Sequence, residues 1–440
     1  MNSTNESPSL ATANPGRRLT VRIFVGMGLG VLLGGSINLL GLLPATEALS
    51  AWLVDYAANG ILYIMGQAFV RLLQVIVIPL VVVSLTCGTA SLDSIRQLGR
   101  IGAKTLGLYL LTTAGAITLA LLAALIFKPG QGLSLSSDAS FDTRDAPPLV
   151  DVLVNLFPRN IFESMSSGDM LPVIIFSILL GLGMTMAGEP GKRMLSFFQD
   201  LDAIIMKVVG IVMSLAPYGV FALIARTFAT EGFGAFLPLL KFLLLVLAVL
   251  ATHAFLVYPS LLKLLSGLSP RTLLRKIRDV QLFAFSTASS NATIPLSLEV
   301  LERKLGVKNA VASFTVPLGA TINMDGTAIM QGVATIFIAQ VYGIDLDTSQ
   351  LLMVVLIATL ASIGTAGVPG VGLIMLSMVL TQVGLPVAGI GLIIGVDRIL
   401  DMARTAVNVT GDCVVTCIVA NSEKQLDTEV YEQSGDTRPV

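Results

Sequence analysis

Long apolar runs broken by small clusters of arginine and lysine restrict this chain more than any other feature of its sequence. Ile23–Leu43, Val75–Cys87, Leu106–Phe127, Leu171–Met186, Ile204–Ala225 and Leu237–Leu262 are almost free of charge, and further apolar stretches continue to Ala420. Several reach the ~18 residues expected of a helix that crosses a bilayer. Only 12% of the residues are charged and 54% are hydrophobic, against roughly a quarter charged in soluble domains. The expected fold class is therefore an all-α, polytopic membrane protein whose solvent is a lipid bilayer. Nothing in the charge pattern points to a nucleic acid as partner.

The basic clusters set the expected orientation. Arg17, Arg18 and Arg22; Arg96, Arg100 and Lys104; Lys192 and Arg193; Arg271, Arg275, Lys276 and Arg278; and Arg303, Lys304 and Lys308 lie between spans, whereas Pro129–Val150, Glu231–Ala235 and Ile344–Thr348 carry few cations. By the positive-inside rule the basic loops and both termini are cytoplasmic. The first span has no small-residue cleavage site at its end and reads as a retained helix. Short tails and the lack of a long external insertion fit a plasma membrane of the bacterial inner-membrane kind. Cys87, Cys413 and Cys417 lie in apolar segments and read as small core residues. His253, the one histidine, reads as packed inside the sixth span, with no nearby acid to make a metal site.

Segment Val280–Val300 has cytoplasmic cations on both sides, so it must enter and leave by the same face. Its middle, STASSNATIP (Ser286–Pro295), is a helix-breaking stretch tolerable only inside protein or facing water. A second interrupted segment, ASIGTAGVPGVGLIM (Ala361–Met375), is bounded by the opposite side. Two broken hairpins of opposite entry, each followed by a long helix with polar residues, give an inverted repeat with a binding site near the midplane. The helix after the first hairpin contains ATINMDGTA (Ala320–Ala328), and the helix after the second contains DRILDMARTAVNVTGD (Asp397–Asp412).

At 100° per residue Asp397, Asp401, Thr405, Asn408 and Asp412, with Arg398 and Arg404, share roughly a 120° arc of one helix. In lipid, five charges at ~2.5–3.5 kcal/mol each exceed ~10 kcal/mol, so the stripe must line a polar cavity. Structural ion pairing of Asp397 or Asp401 with Arg398 or Arg404 is the alternative. Arg404 suits a carboxylate, because a guanidinium grips it with two hydrogen bonds; Asp401 can accept from an ammonium. Together they describe an amino acid with an acidic side chain. Asp325 and Asp412 then leave the cavity too negative for such a guest, unless hard cations bind there through Asn323, Asn408, threonines and unwound backbone. Binding of guest and cation would be coupled, and an inward-negative potential worth ~2.3 kcal/mol per charge per 100 mV would drive uptake.

With FVRLLQVIVIPLVVVSL (Phe69–Leu85), LGRIGAKTLGLYLLTT (Leu98–Thr113), the serine-rich tip, NMDGT (Asn323–Thr327) and GTAGVPGVG (Gly364–Gly372), the chain from Arg17 to Ala420 resembles the dicarboxylate/amino acid:cation symporters, the glutamate and aspartate transporters. The inverted-repeat rule itself draws on an archaeal member of that family. The resemblance implies eight transmembrane helices plus two re-entrant helical hairpins, in a homotrimer whose transport unit moves as an elevator. It implies polar tails at 1–16 and 422–440, scaffold and trimerisation helices mainly in 17–98 and 149–226, and a transport unit of 99–128 and 235–421. Within that unit it places hairpin 1 at about 270–305, helix 7 at about 309–342, hairpin 2 at about 347–385 and helix 8 at about 388–421.

The resemblance also implies that Arg404 holds the side-chain carboxylate of the substrate, Asp401 its amino group, and Thr405 and Asn408 further polar atoms, with Ser290, Thr327, Val368 and Gly372 completing the pocket. One sodium ion would sit among Gly319, Asn323, Asn408 and Asp412, and a second among Thr321, Met324, Ser362, Ile363 and Thr365. A third would use Tyr109, Thr112, Thr113, Asn323 and Asp325. Archaeal members carry an arginine where this chain has Ala288; here Arg398 supplies a cation beside Asp401, as in animal members. Gln331 stands where proton-carrying animal members have glutamate, which argues against a proton carrier there. Presence of Asp401 favours an amino acid over a C4-dicarboxylate such as succinate, fumarate or malate, whose proton- or sodium-coupled carriers share the fold and are the nearest rival.

Two other classes fit less well. An intramembrane aspartyl protease lacks its Gly-x-Gly-Asp context at Val409-Thr410-Gly411-Asp412, so no enzyme is expected; an anion leak is a possible secondary activity. The glycine-rich stretch has no Gly-Lys-Ser/Thr ending and is no phosphate loop.

Overall fold

Backbone amides in an apolar medium must bond within their own segment, and the chain meets that demand with helix. In the computed structural model 87% of the described residues are helical, with no strand among them; the described residues are 15–90, 100–133, 135, 154, 157, 159–167, 170–362 and 370–433. In chain order the helices are α1 (Pro15–Gly41), α2 (Glu47–Leu53), α3 (Tyr63–Ala90), α4 (Arg100–Phe127), α5 (Ile161–Ser167), α6 (Met170–Met186), α7 (Glu189–Ser214) and α8 (Ala216–Glu231). There follow α9 (Phe236–Thr252), α10 (Tyr258–Ser266), α11 (Pro270–Lys276), α12 (Arg278–Thr287), α13 (Ser290–Glu299), α14 (Asn309–Ile322), α15 (Asp325–Val341), α16 (Thr348–Ser362), α17 (Val371–Gln382), α18 (Ile390–Ser422) and α19 (Thr428–Glu432).

Four helices among the described residues are long and apolar enough to cross a membrane: Val21–Gly41, Glu47–Cys87, Arg100–Phe127 and Phe236–Ser266. A fifth span arises if α7 and α8, bent by 45° at Leu215, count together. The run Ile204–Ala225 is thus two helices rather than one, because Pro217 near the start of α8 has no N–H with which to continue the ladder of α7. The run Val75–Cys87 is only the later part of a much longer helix.

Segment 270–305 forms two ten-residue arms, α12 and α13, joined at Ala288–Ser289. Ten residues of helix are ~15 Å long, about half the ~30 Å of a bilayer core. The arms begin and end together: Lys276 Nζ donates to the carbonyl of Lys304 at 2.8 Å. The break is narrower than the sequence suggests, because Pro295 sits inside α13, and the turn is made instead by Ala288 at φ 50°. Ser289 then caps α13 by accepting from the Ala292 N–H at 3.2 Å. The second pair, α16 and α17, is built the same way, with Gln350 Nε2 donating to the Val383 carbonyl at 3.5 Å between its feet. Residues 363–369, which join that pair, lie outside the described residues. Helices α14 and α15 run from the feet of the first pair to the feet of the second, so the two pairs start from opposite ends.

Packing forms two sets of helices. In one, α1 packs along α8, and α3 along α6, α7 and α8; in the other, α18 lies at the centre of α10, α12, α14 and α15, while α4 covers α15 and α16. The sets meet chiefly where α17 touches α3 and where α8 touches α18, with smaller contacts of α16 on α6 and of α18 on α1 and α3. The free thiols Cys413 and Cys417 are buried and Cys87 is half-buried, as their apolar surroundings in the sequence imply. The C-terminal end is more ordered than a polar tail over 422–440 implies. Asp427 caps α19 through the Glu429 and Val430 N–H groups, and the buried Tyr431 donates its hydroxyl to the Ser269 carbonyl at 2.9 Å.

Candidate functional site

A break in one helix and the charged stripe of another make the site. Helix α14 ends at Ile322 and α15 starts at Asp325, with Asn323 in extended geometry (φ −88°, ψ 91°) and Met324 at φ −117°, ψ 41° between them. Such an end leaves the last carbonyls of α14 without helical partners. Helix α18 continues unbroken alongside, presenting the buried Asp397, Asp401, Arg404, Thr405, Asn408 and Asp412. These members of the arc are buried and Arg398 is half-buried, while from Val407 to Ala420 the helix is buried on every side.

Arg404 is 1% exposed, so its charge must be answered locally. Its Nη2 donates to Asp401 Oδ1 at 2.9 Å and lies 3.0 Å from Asp397 Oδ1, while Arg398 Nη1 stands 3.5 Å from Asp401 Oδ2. Two cations and two carboxylates thus balance. Asp397 belongs to this cluster through Arg404, seven residues on, and not through its neighbour Arg398 alone. The Nε and Nη1 of Arg404 are buried with no hydrogen-bond partner. A buried guanidinium half used is costly, and the free nitrogens are what a carboxylate guest requires.

Gly372, at the start of α17, lies against this guanidinium: a Cβ built there would stand 2.8 Å from Arg404 Nη1. Asn408 is held by the helix break, its Oδ1 accepting from the Gly326 N–H at 2.7 Å and its Nδ2 donating to Met324 Sδ at 3.3 Å. Thr405 donates its hydroxyl to the Asp401 carbonyl at 2.8 Å. Thr327 and Ser290 are both buried; Thr327 sits on the first turn of α15, and Ser290 begins α13. Val368, Ile363 and Thr365 lie outside the described residues.

Asp325 and Asp412 form the second centre. Asp412 Oδ1 accepts from Asn323 Nδ2 at 2.9 Å, and the same amide donates to the Asn408 carbonyl at 3.0 Å. That orientation strands Asn323 Oδ1, buried with no donor. Gly319 permits the close approach of α18, since a Cβ there would be 2.6 Å from the Tyr109 hydroxyl and closer still to Asp412 Oδ1. Asp325, fully buried, accepts from the Thr113 hydroxyl on Oδ1 at 2.5 Å and from the Tyr258 hydroxyl on Oδ2 at 2.7 Å. Tyr109 spends its hydroxyl on the Thr315 carbonyl, and Thr112 on the Tyr109 carbonyl. Neither aspartate has a lysine or arginine within ion-pair distance among the described residues. Thr321 and Ser362 turn their hydroxyls onto the carbonyls of Leu318 and Thr359. Gln331 is buried two turns further along α15.

His253 corrects the sequence reading. It has a nearby acid: its Nε2 is 3.1 Å from Asp325 Oδ2, and its ring packs edge-on against Tyr258 with centroids 4.4 Å apart. The cause is the π-helical turn His253–Val257 between α9 and α10, which stacks residues five apart where ordinary helical spacing separates them. Asp325 lies 72 positions away in sequence, so no local spacing could show the contact. No group of three or more His, Cys, Asp and Glu fit for a metal exists among the described residues. The donors on hand are two carboxylates and neutral oxygens, a set suited to a hard cation.

A family model described as the sodium:dicarboxylate symporter family matches residues 19–422. The chain is 38% identical over 424 residues to a proton/sodium-glutamate symport protein of Bacillus caldotenax, covering 94% of this chain and 97% of that protein. It is 38% identical over 421 residues to the proton/glutamate-aspartate symporter of Escherichia coli K12, covering 93% and 94%. Against a C4-dicarboxylate transport protein of Bacillus subtilis it is 32% identical over 371 residues, covering 82% and 88%.

Proposed function

The chain belongs to the sodium:dicarboxylate symporter family, as an integral-membrane, cation-coupled transporter and not an enzyme, and from that premise we propose that it takes up aspartate or glutamate together with sodium ions. The observation that carries the substrate class is the half-satisfied guanidinium of Arg404 beside Asp401. Side-chain carboxylate on Nε and Nη1, and ammonium on Asp401, satisfy both groups at once. A dicarboxylate without an amine leaves Asp401 with nothing new to accept. Val368 would complete the pocket, with Gly372, Ser290, Thr327, Thr405 and Asn408 around the guest.

Sodium is the cation that suits the second centre. Asn323 Oδ1 without a donor, and Asp325 and Asp412 with no lysine or arginine beside them, are hard oxygens in want of positive charge. One ion would use Gly319, Asn323, Asn408 and Asp412. Another would use Tyr109, Thr112, Thr113, Asn323 and Asp325, and a third Thr321, Met324, Ser362, Ile363 and Thr365. Until they enter, two carboxylates repel an acidic guest, so the cation must accompany the substrate. This is coupling by shared free energy.

Alternating access would come from the α4, α9–α18 set sliding as an elevator against the α1–α3, α6–α8 set. Most packing lies within each set, and the junction between them is carried chiefly by α17 with α3 and α8 with α18, which supports such a motion. The two paired segments would be re-entrant hairpins with feet at opposite faces, completing eight spans, and the exposed apolar side chains of α7, among them Phe197, Ile204 and Ile211, suit lipid or neighbouring copies in a homotrimer. The cluster of Arg100, Lys104, Lys276 and Lys304 at one end would face the cytoplasm of a bacterial cell.

A proton-coupled reading has support in the relatives' names. Radiolabelled aspartate uptake by the purified protein in liposomes separates the two. Sodium-driven accumulation, competed by glutamate but not succinate, is expected; accumulation driven by a pH gradient without sodium, or competition by succinate, would overturn the proposal.

A further inference from the structure

Asp325 is gripped from two sides, and only one of them belongs to the cation centre as assigned above. On that side Thr113 of α4 donates to Oδ1 at 2.5 Å. On the other, His253 Nε2 and the Tyr258 hydroxyl both meet Oδ2, at 3.1 and 2.7 Å, from the junction of α9 and α10. All three side chains are fully buried. A carboxylate oxygen only accepts, so Nε2 is the ring nitrogen that carries hydrogen; Nδ1 is buried with no partner, which leaves Asp325 as the group that orients the ring. The Tyr258 hydroxyl also lies against α18, where a Cβ on Gly411 would collide with it and stand 2.5 Å from Asn323 Nδ2. Tyr258 thus reaches the point where the helix break, Asp325 and the helix of Asp412 come together. An ionised carboxylate offers about two lone-pair sites on each oxygen. With two donors on Oδ2 and one on Oδ1, the place left open for a cation is on Oδ1, the side of Thr113.

Resting on the reading that a sodium ion binds at Asp325, we propose that His253 and Tyr258 are positioning residues for that ion: by filling Oδ2 they present Oδ1 to it as a single ligand, held in place before the ion arrives. Neither residue touches the ion. A ligand already fixed has less freedom to lose on binding, and groups that hydrogen-bond a metal-ligating side chain typically account for ten- to hundredfold in metal affinity. Their effect on the guest runs through the cation, so it is cancelled once sodium saturates its site.

The test reads sodium binding apart from uptake. Sodium chloride replaces choline chloride in steps, and the rise in Tm of the full-length protein in neutral detergent gives the sodium concentration at half-effect; calorimetry gives aspartate affinity at low and at saturating sodium. Tyr258→Phe, which removes one hydroxyl and keeps the ring, and His253→Leu should each raise the sodium half-point about tenfold or more. His253→Gln, whose amide nitrogen can stand where Nε2 stands, should keep it within about threefold. In the first two variants aspartate affinity should fall at low sodium and return to within about twofold of the parent at saturating sodium. Sodium half-points within about twofold of the parent in both Tyr258→Phe and His253→Leu overturn the proposal. So does a loss of aspartate affinity that saturating sodium leaves in place, the mark of a damaged fold. Asp325→Asn separates the two readings. If it shifts the sodium half-point while Tyr258→Phe and His253→Leu do not, the cation site stands and its positioning by these two residues falls; if the parent itself shows no response to sodium, the cation site falls.

Discussion

Gly372→Ala isolates the guanidinium of Arg404 from the rest of the fold. The added methyl would meet Nη1 at 2.8 Å and both Cζ and Nη2 at 3.2 Å, where ordinary contact begins near 3.4 Å. Roughly 0.6 Å of retreat is needed, and the side chain cannot simply swing away. It is buried and pinned through Nη2 to Asp401 and Asp397. Either the guanidinium leaves the position in which Nη1 and Nε meet a carboxylate, or α17 stands off and the pocket stays ajar. Either way about one charge-assisted hydrogen bond to the guest is lost, about 1.5–3 kcal/mol, which is roughly ten- to hundredfold in affinity. The helix itself should not suffer, because alanine is the better helix former by ~1 kcal/mol. Aspartate KM in liposomes and aspartate binding by calorimetry should therefore weaken by that factor. Thermal stability in sodium alone should hold, and so should the sodium dependence of whatever uptake remains. An aspartate KM within about twofold of the parent would refute the placement of Arg404 as the carboxylate seat.

Asp412→Asn removes the charge opposed only by the Asn323 amide, and should shift the sodium concentration for half-maximal uptake upward by tenfold or more; an unchanged sodium titration would contradict the cation role. Ala288→Gly relieves a left-handed residue at φ 50° and should raise stability by up to about 1 kcal/mol in chemical denaturation, whereas a lower midpoint would show that the turn gains from its methyl. Glu423, just past the end of α18, has its carboxyl held below the usual range by the hydrogen bond from Arg100 and then by Lys104. A depressed folded-state value means stability present above the ordinary carboxylate range and lost as pH falls through the folded value. Glu423→Gln should accordingly flatten the decline in Tm between about pH 5 and pH 3, and an unaltered slope would sink that account.

Much of the architecture was legible because its signals are local. Apolar run length marks the long helices, and the cations flanking Val280–Val300 mark the paired arms α12 and α13, whose ends meet at Lys276 and Lys304. Steps of four, four, three and four residues from Asp397 to Asp412 mark a stripe whose members are buried. The polar cluster at Asn323–Asp325 marks a helix break, which the structure places there. What stayed hidden depends on long-range contact or on a departure from ideal helix. His253 meets Asp325 from 72 positions away, a contact that no spacing within its own helix could show. Asp397 is seven residues from Arg404, and its alternative partner Arg398 adjoins it, so spacing alone could not decide between them. The anchoring of α19 against the feet of α11–α13 leaves no mark in a segment whose composition reads as tail.

That anchoring makes the two paired segments unequal. At the first, Lys276 Nζ donates not only to the Lys304 carbonyl but also to those of Val430 and Tyr431, at 2.7 and 2.8 Å. Lys308 N–H donates to the Gln425 carbonyl and Asp427 N–H to that of Gly306. Three separate stretches of chain are thus tied together at one end, by bonds that would all have to break before α12 and α13 could part from α18. The feet of the second pair are joined by Gln350 to Val383, with Asp347 and Gln350 closing only a local turn. Opening free energies differ with the number of contacts an element must give up. On the proposed function, the pair that carries Gly372 against Arg404 is then expected to move with the guest's arrival and departure, and the pair that carries Ser290 to stay fixed.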